Sequence, residues 1–201
     1  MVNYQTILQE IAEVQVGYQA RGRIEEDLDG EYTIIRSQDF SEDGGLNFAE
    51  AMRFRPALRI DPRKHLLTVG DILLQARGLT HQAYLIDEPL ENAVAANTFY
   101  IIKILDEKRV LPAYLTWWIN QPNVQNYFEQ ERGVSTIPFI SKKVLLDAPV
   151  RIPPIDTQNQ ISKLVALWHR EQTLLNDLNY NKDRLIHAVA RRAVADSLEE
   201  N

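Results

Sequence analysis

The chain has 201 residues, 45% of them hydrophobic, which is enough to bury one proper core and at most a small second unit beside it. It contains no cysteine, which excludes disulfides, thiolate metal sites and cysteine nucleophiles and fits a reducing, cytoplasmic setting. The formal net charge of -6 opposes nucleic-acid binding by the chain as a whole, because phosphates are held by lysines and arginines.

Splitting the chain at Asp156 leaves neither part basic, so any affinity for phosphate must come from local clustering. No apolar run nears the roughly 18 residues of a membrane span, and the basic, apolar and small-residue series of a signal peptide is missing. A soluble protein with no membrane partner is expected.

Over residues 3–14, Tyr4, Ile7, Leu8 and Ile11 fall at i, i+3, i+4 and i+7, which predicts an amphipathic helix. Gly17, Gly22, Gly30 and the acidic stretch 25–29 end it, and residues 32–36 read as a strand. Residues 37–51, with Gly44 and Gly45, show no period and predict an irregular surface loop of the kind that often carries function. Residues 71–76, 83–86 and 95–105 are rich in Ile, Leu, Val, Tyr and Phe and predict strands of one mixed sheet.

Pro112 and Pro122 stand where a first helical turn tolerates a missing N–H, so residues 111–120 and a second piece ending near Gly133 predict helices covering that sheet. At Val150-Arg151-Ile152-Pro153-Pro154 the proline pair imposes an extended chain, which reads as a hinge. Thr157 and Gln160 then have capping-box spacing, and no glycine or proline follows, so one long helix is expected to run to the C-terminus. The fold class is α+β: a mixed-sheet domain with covering helices over residues 1–153, then a long coiled-coil helix over residues 154–201.

Along that helix Ile161, Trp168, Leu175 and Val189 occupy one heptad position and Leu164, Leu178 and Leu185 the other, interrupted by Glu171, Lys182 and Arg192. Such a stripe packs on another chain or folds back on its own domain; pairing with a second copy is the favoured reading.

Catalytic and metal chemistry find little support. His65, His81, His169 and His187 are too scattered for any zinc spacing, and no metal site is expected. Gly133-Val134-Ser135-Thr136-Ile137 begins like a nucleophile elbow but lacks the second glycine, and no phosphate-binding or dinucleotide loop occurs. Asn97-Thr98-Phe99-Tyr100 has only a faint likeness to the Asn-Pro-Pro-Tyr/Phe motif of amino-methyltransferases; both prolines are missing, and a strand with Phe99 in the core explains it better. Asp71 after Gly70 reads as turn chemistry.

Positive charge gathers between Arg53 and Lys64, where Arg53, Arg55, Arg59, Arg63 and Lys64 are opposed by Asp61 alone. If Arg53 and Arg55 lie in a strand they share a face, and arginine forks onto guanine or phosphate alike. Arg21, Arg23, Arg77, Lys142 and Lys143 sit beside predicted turns and are candidates to extend this patch.

Several stretches, in order, resemble the specificity subunits of type I restriction-modification systems. Leu8-Gln9-Glu10-Ile11-Ala12-Glu13-Val14-Gln15-Val16-Gly17-Tyr18 is similar to the family's entry segment, Gly70-Asp71-Ile72-Leu73 to its mid-domain strand, and Asn97 to Ile102 to the strand that follows. Most specific is the run from Gly133 to Ser141, then Leu145, then Ile152-Pro153-Pro154-Ile155 and Gln158, Gln160 and Ile161, which resembles the junction between recognition domain and spacer helix. The usual protein carries two such units, and this chain is similar to one.

The resemblance implies a DNA-specificity module that reads half of a bipartite site on double-stranded DNA. It implies no catalytic residue and no cofactor of its own. It also implies an arm that pairs antiparallel with a second copy and docks methyltransferase (M) subunits, and through them the restriction (R) subunit. The alternative is a dimeric interaction scaffold without DNA binding.

Overall fold

The computed structural model describes residues 5–20, 22–41, 45–56, 61–78, 80–131 and 138–199, with side chains through residue 192. Tyr4, Arg21, Gly44, Arg59 and the run from Gly133 to Ile137 lie outside the described residues. Contacts divide the chain into a unit of residues 1–162 and a unit of residues 163–201.

Among the described residues no α-helix forms in the opening segment. Instead β1 (Gln5–Ile7) leads through a 3₁₀ turn (Leu8–Glu10) into β2 (Ala12–Val16). The apolar spacing that suggested a helix is satisfied by that single turn, which buries Leu8 and Ile11 together through an Ile11 N–H bond to the Leu8 carbonyl. Beyond it, Ala12, Val14 and the intervening polar residues alternate with period two, the pattern of a strand.

The expected single mixed sheet is in fact divided: besides a two-stranded pair formed by β1, the described residues build two larger sheets. One is antiparallel, in the order β2, β8 (Phe99–Ile104), β5 (Ile72–Gln75), β6 (Ala83–Leu85). The other is β4 (Met52–Phe54), β3 (Tyr32–Ile35), β7 (Ala93–Ala95), in which β3 and β7 run parallel. The predicted strand over 95–105 breaks at Asn97 and Thr98, where a turn closed by the Phe99 N–H on the Ala96 carbonyl carries the chain from one sheet to the other. β2 makes the same crossing at Gly17, where a Cβ would stand 2.2 Å from the Ala96 oxygen, so only glycine fits.

Helices α1 (Pro112–Ile119), α2 (Pro122–Glu131) and α3 (Lys142–Leu146) cover one face of the four-stranded sheet, as the proline positions suggested for the first two. Ile72 and Leu74 pack there with Tyr114, Leu115 and Phe128, while Leu73, Phe99 and Ile101 point the other way into Ile35, Ala93 and Ala95 of the second sheet. Ile72, Leu73 and Leu74 are all fully buried because β5 is covered on both faces. Each contributes about 1.5–3 kcal/mol by leaving water. Phe99 is a core residue, as read from the sequence.

Asp71 does the turn chemistry expected of it, accepting from the Thr68 N–H, with Gly70 at φ 94°. It also holds the Lys103 ammonium at 2.7 Å, an ion pair that the spacing does not announce.

The proline junction is pinned rather than free. β9 (Pro149–Arg151) pairs with β1, the Trp118 indole donates to the Pro149 carbonyl at 2.9 Å, and the Tyr114 hydroxyl donates to the Arg151 carbonyl at 2.6 Å. The last helix, α4 (Ile155–Glu199), starts at Ile155, so Thr157 lies inside its first turn and does not cap it. The residue that fixes this start is Gln158. It is fully buried, accepts from the Leu111 N–H at 2.9 Å, and donates to the carbonyls of Arg109 (3.0 Å) and Pro153 (2.8 Å). Ile161 packs on the same core one turn later.

Candidate nucleic-acid interface and assembly arm

The arginine group lies on and around the three-stranded sheet. Burial of Phe54 at the end of β4 turns its neighbours Arg53 and Arg55 outward, the shared exposure that alternation predicts. Neither side chain is unengaged. Arg53 forks onto the Gly30 carbonyl with Nε at 3.1 Å and a terminal nitrogen at 2.7 Å. Arg55 pairs with the Asp27 carboxylate at 3.3 Å and reaches the Asp29 carbonyl.

Arg63 follows in a 3₁₀ turn (Pro62–His65) whose start is capped by Asp61, and its Nε meets that carboxylate at 2.9 Å. The Arg63 side-chain and backbone hydrogen bonds hold the Asp61 carboxyl below its ordinary range. Lys64, exposed in the same turn, makes no ion pair among the described residues. Beside this group an open cleft of about 610 Å³ is lined by Tyr18, Arg23, Arg55 and the acidic Glu25, Glu26 and Asp27, so the face is mixed in charge.

A second basic group stands on the four-stranded sheet. Arg77, just beyond β5, bridges antiparallel to Phe139, and the Gly78 N–H bonds the Pro138 carbonyl. Ser141 caps α3 through the Val144 N–H, which places Lys142 and Lys143 in the first turn of that helix, a short way along the chain from Phe139. Arg77, Lys142 and Lys143 are exposed and make no ion pair among the described residues. Phe139, 39% exposed, adds an aromatic surface beside Arg77 that the sequence pattern did not single out. Arg77 thus lies beside the segment that leads into α3, and Arg53 lies in the other sheet, with Arg55 just past its strand and Arg63 and Lys64 in the turn that follows.

Among the described residues no group of three or more His, Asp or Glu side chains is placed to hold a metal ion, and no helix is long and apolar enough to cross a membrane.

The arm residues of α4 beyond Ser162 are exposed: Leu164 at 68%, Trp168 at 54%, Leu175 at 46%, Leu178 at 48%, Leu185 at 64% and Val189 at 60%. Ile161 differs, being packed on the core. Leu167, Leu174 and Ile186 are also exposed and were missed by a two-position heptad reading. At 100° per residue they flank the seam and widen it, the signature of an apolar band broader than a minimal coiled coil.

No protein-family model matches the sequence, and no curated protein matches it. Solved structures do. The S subunit of a Type-I restriction-modification system from M. genitalium aligns with a TM-score of 0.55 at 13% identity, over 83% of this chain and 38% of its own. The HsdS subunit from Thermoanaerobacter tengcongensis aligns with a TM-score of 0.52 at 15% identity, over 84% of this chain and 37% of its own. A chain from a structure concerned with complex assembly and conformational transition of the type I R-M system aligns with a TM-score of 0.60 at 14% identity, over 85% and 39% respectively. This chain shares their fold and spans well under half of their length.

Proposed function

We propose that this chain is a DNA-specificity module of a type I restriction-modification complex, reading one half of a bipartite site and contributing no catalytic group of its own. The observation that carries the proposal is the fold match to two S subunits over 83–84% of this chain but only 37–38% of theirs, which is the proportion expected of one unit of a two-unit protein. In this reading the residues 1–153 are the recognition domain and the residues 154–201 form the spacer. The spacer pairs antiparallel with that of a second copy and docks methyltransferase subunits, through which the restriction subunit joins. The setting is cytoplasmic.

DNA contact is assigned to Arg53, Arg55, Arg59, Arg63, Lys64, Arg21, Arg77, Lys142 and Lys143. Of these, Lys64, Arg77, Lys142 and Lys143 make no ion pair among the described residues, although Lys64 lies within electrostatic reach of Asp61. A two-fold assembly reads a two-fold symmetric, interrupted sequence, since symmetry in the protein is mirrored in its site.

The test is selection from a randomised duplex library by the full chain together with the methyltransferase subunits of its host. Enrichment of an interrupted palindrome, bound with an affinity that falls steeply as salt rises, is expected. The pairing of Arg55 with Asp27 and of Arg63 with Asp61 favours a second reading, a dimeric scaffold without DNA binding. An assembled complex that enriches no sequence would establish that reading in place of the first.

A further inference from the structure

From Leu164 to Val189 the apolar stripe of α4 matches itself when reversed. Leu175 and Leu178 lie equally far on either side of the bond between Asn176 and Asp177. So do Trp168 and Leu185, and so do Leu164 and Val189. Between Leu164 and Val189 the charges that interrupt the stripe obey the same rule: Glu171 and Lys182 are equidistant from that bond, of opposite sign, and both exposed, whereas Arg192, the third interruption, falls opposite Ile161, which packs on the core instead.

Resting on the self-pairing reading of the arm, we propose that α4 packs antiparallel on a second copy of itself, with a two-fold axis through the Asn176–Asp177 bond. Two symmetry-related Glu171–Lys182 pairs then set the register.

Under that symmetry each residue of one heptad position meets a residue of the other, which is how antiparallel helices layer their seams. Leu175 faces Leu178 of the second copy, Trp168 faces Leu185, and Leu164 faces Val189. Each layer thus joins two apolar side chains, and the bulky indole meets a leucine instead of a second indole. A parallel two-fold pair would bring Glu171 against Glu171 and Lys182 against Lys182, two like-charge layers inside an apolar seam. Shifting the antiparallel register by one heptad would set both charges against leucine or valine and leave them desolvated without a partner. The charged layers lower the stability of the arm relative to an all-apolar seam and exclude these alternatives in return.

The test uses the full chain. Its mass in solution should be twice 23.2 kDa. Glu171→Lys alone and Lys182→Glu alone each place like charges in both layers and should raise the dimer dissociation constant at least about tenfold. Mixing the two single variants should restore the dimer as a heterodimer, because both layers then become complementary, and the double variant should dimerise on its own.

Because the chain has no cysteine, register is also read by oxidation. A mixture of Leu164→Cys and Val189→Cys chains should cross-link to each other. Leu164→Cys alone should not, its two thiols being about 37 Å apart along the axis at 1.5 Å per residue. A monomeric native chain would overturn the self-pairing reading and this register with it. A native dimer in which Leu164→Cys cross-links to itself, or in which the mixed charge variants stay monomeric, would overturn the register while leaving self-pairing in place.

Discussion

Replacing Gln158 should uncouple the start of the long helix from the globular unit. The side chain is fully buried and serves three backbone groups: the N–H of Leu111 and the carbonyls of Arg109 and Pro153. Gln158→Met keeps nearly the same volume and removes only these hydrogen bonds, so the Leu111 N–H becomes a buried donor with no partner. An orphaned buried group costs about 1–3 kcal/mol, and the two carbonyls lose less because each keeps a second lone pair, so about 3–5 kcal/mol in all is expected. For a unit of this size that lowers the melting temperature by roughly 6–20 °C, at about 2–4 °C per kcal/mol. Urea unfolding followed by tryptophan fluorescence reads it directly, since Trp117 and Trp118 pack against the core that α4 joins. A Gln158→Met chain within about 1 kcal/mol of the native one would refute the view that this amide, and not the proline pair, fixes the junction.

Three further outcomes follow from the same geometry. Asp71→Ala removes the acceptor of both the Thr68 N–H and the Lys103 ammonium, and should destabilise the unit by about 2–3 kcal/mol in the same urea assay, with Asp71→Asn falling between it and the native chain. Burial pushes the Tyr114 phenol from 10.0 up to about 12, against a small opposing effect of Arg151. A folded-state value above the unfolded one means that this stability is whole below pH 10 and is lost as pH climbs toward 12. Tyr114→Phe, weakened by about 1 kcal/mol at neutral pH, should therefore show a shallower alkaline loss than the native chain. For DNA affinity in the assembled complex, joint substitution of Arg77, Lys142 and Lys143 by alanine should reduce the salt slope by about one for each phosphate no longer neutralised. Substitution of Arg53 and Arg63, held by the Gly30 carbonyl and by Asp61, should change that slope less, and an equal effect of both sets would show that their intramolecular bonds open on binding.

Local signals made much of this fold legible. Proline at a first helical turn located α1 and α2, because that constraint acts within one turn and needs no partner. The unbroken apolar run of β5 announced a strand, though not that it is covered by helices on one side and a second sheet on the other. The opening segment misled because an apolar spacing of three and four residues arises both from a helix and from strands joined by a 3₁₀ turn. The division into two sheets turns on close approach at Gly17 and a turn at Asn97, features set by distant partners that no single window contains. For the basic residues, sequence showed where charge accumulates but not which arginines are already engaged, since Gly30, Asp27 and Asp29 come to Arg53 and Arg55 only through the pairing of β3 with β4.

The two units differ in how they satisfy the same requirement, that apolar surface leave water. Within residues 1–162 the requirement is met inside the chain: the four-stranded sheet is covered on both faces, and the first turns of α4 are drawn in through Gln158 and Ile161. Beyond Ser162 the helix continues with an apolar band, from Leu164 to Val189, that nothing among the described residues covers. Apolar surface in such a band gains about 25 cal/mol for every Å² removed from water, a gain that offsets the entropic cost of association. A featureless apolar band would, however, accept many partners and registers. In the proposed pairing, one acid and one base inside it, at positions that a reversed copy neutralises, turn a general tendency to associate into a specific one. If the arm pairs as proposed, the residues that weaken the seam are the ones that define what it binds.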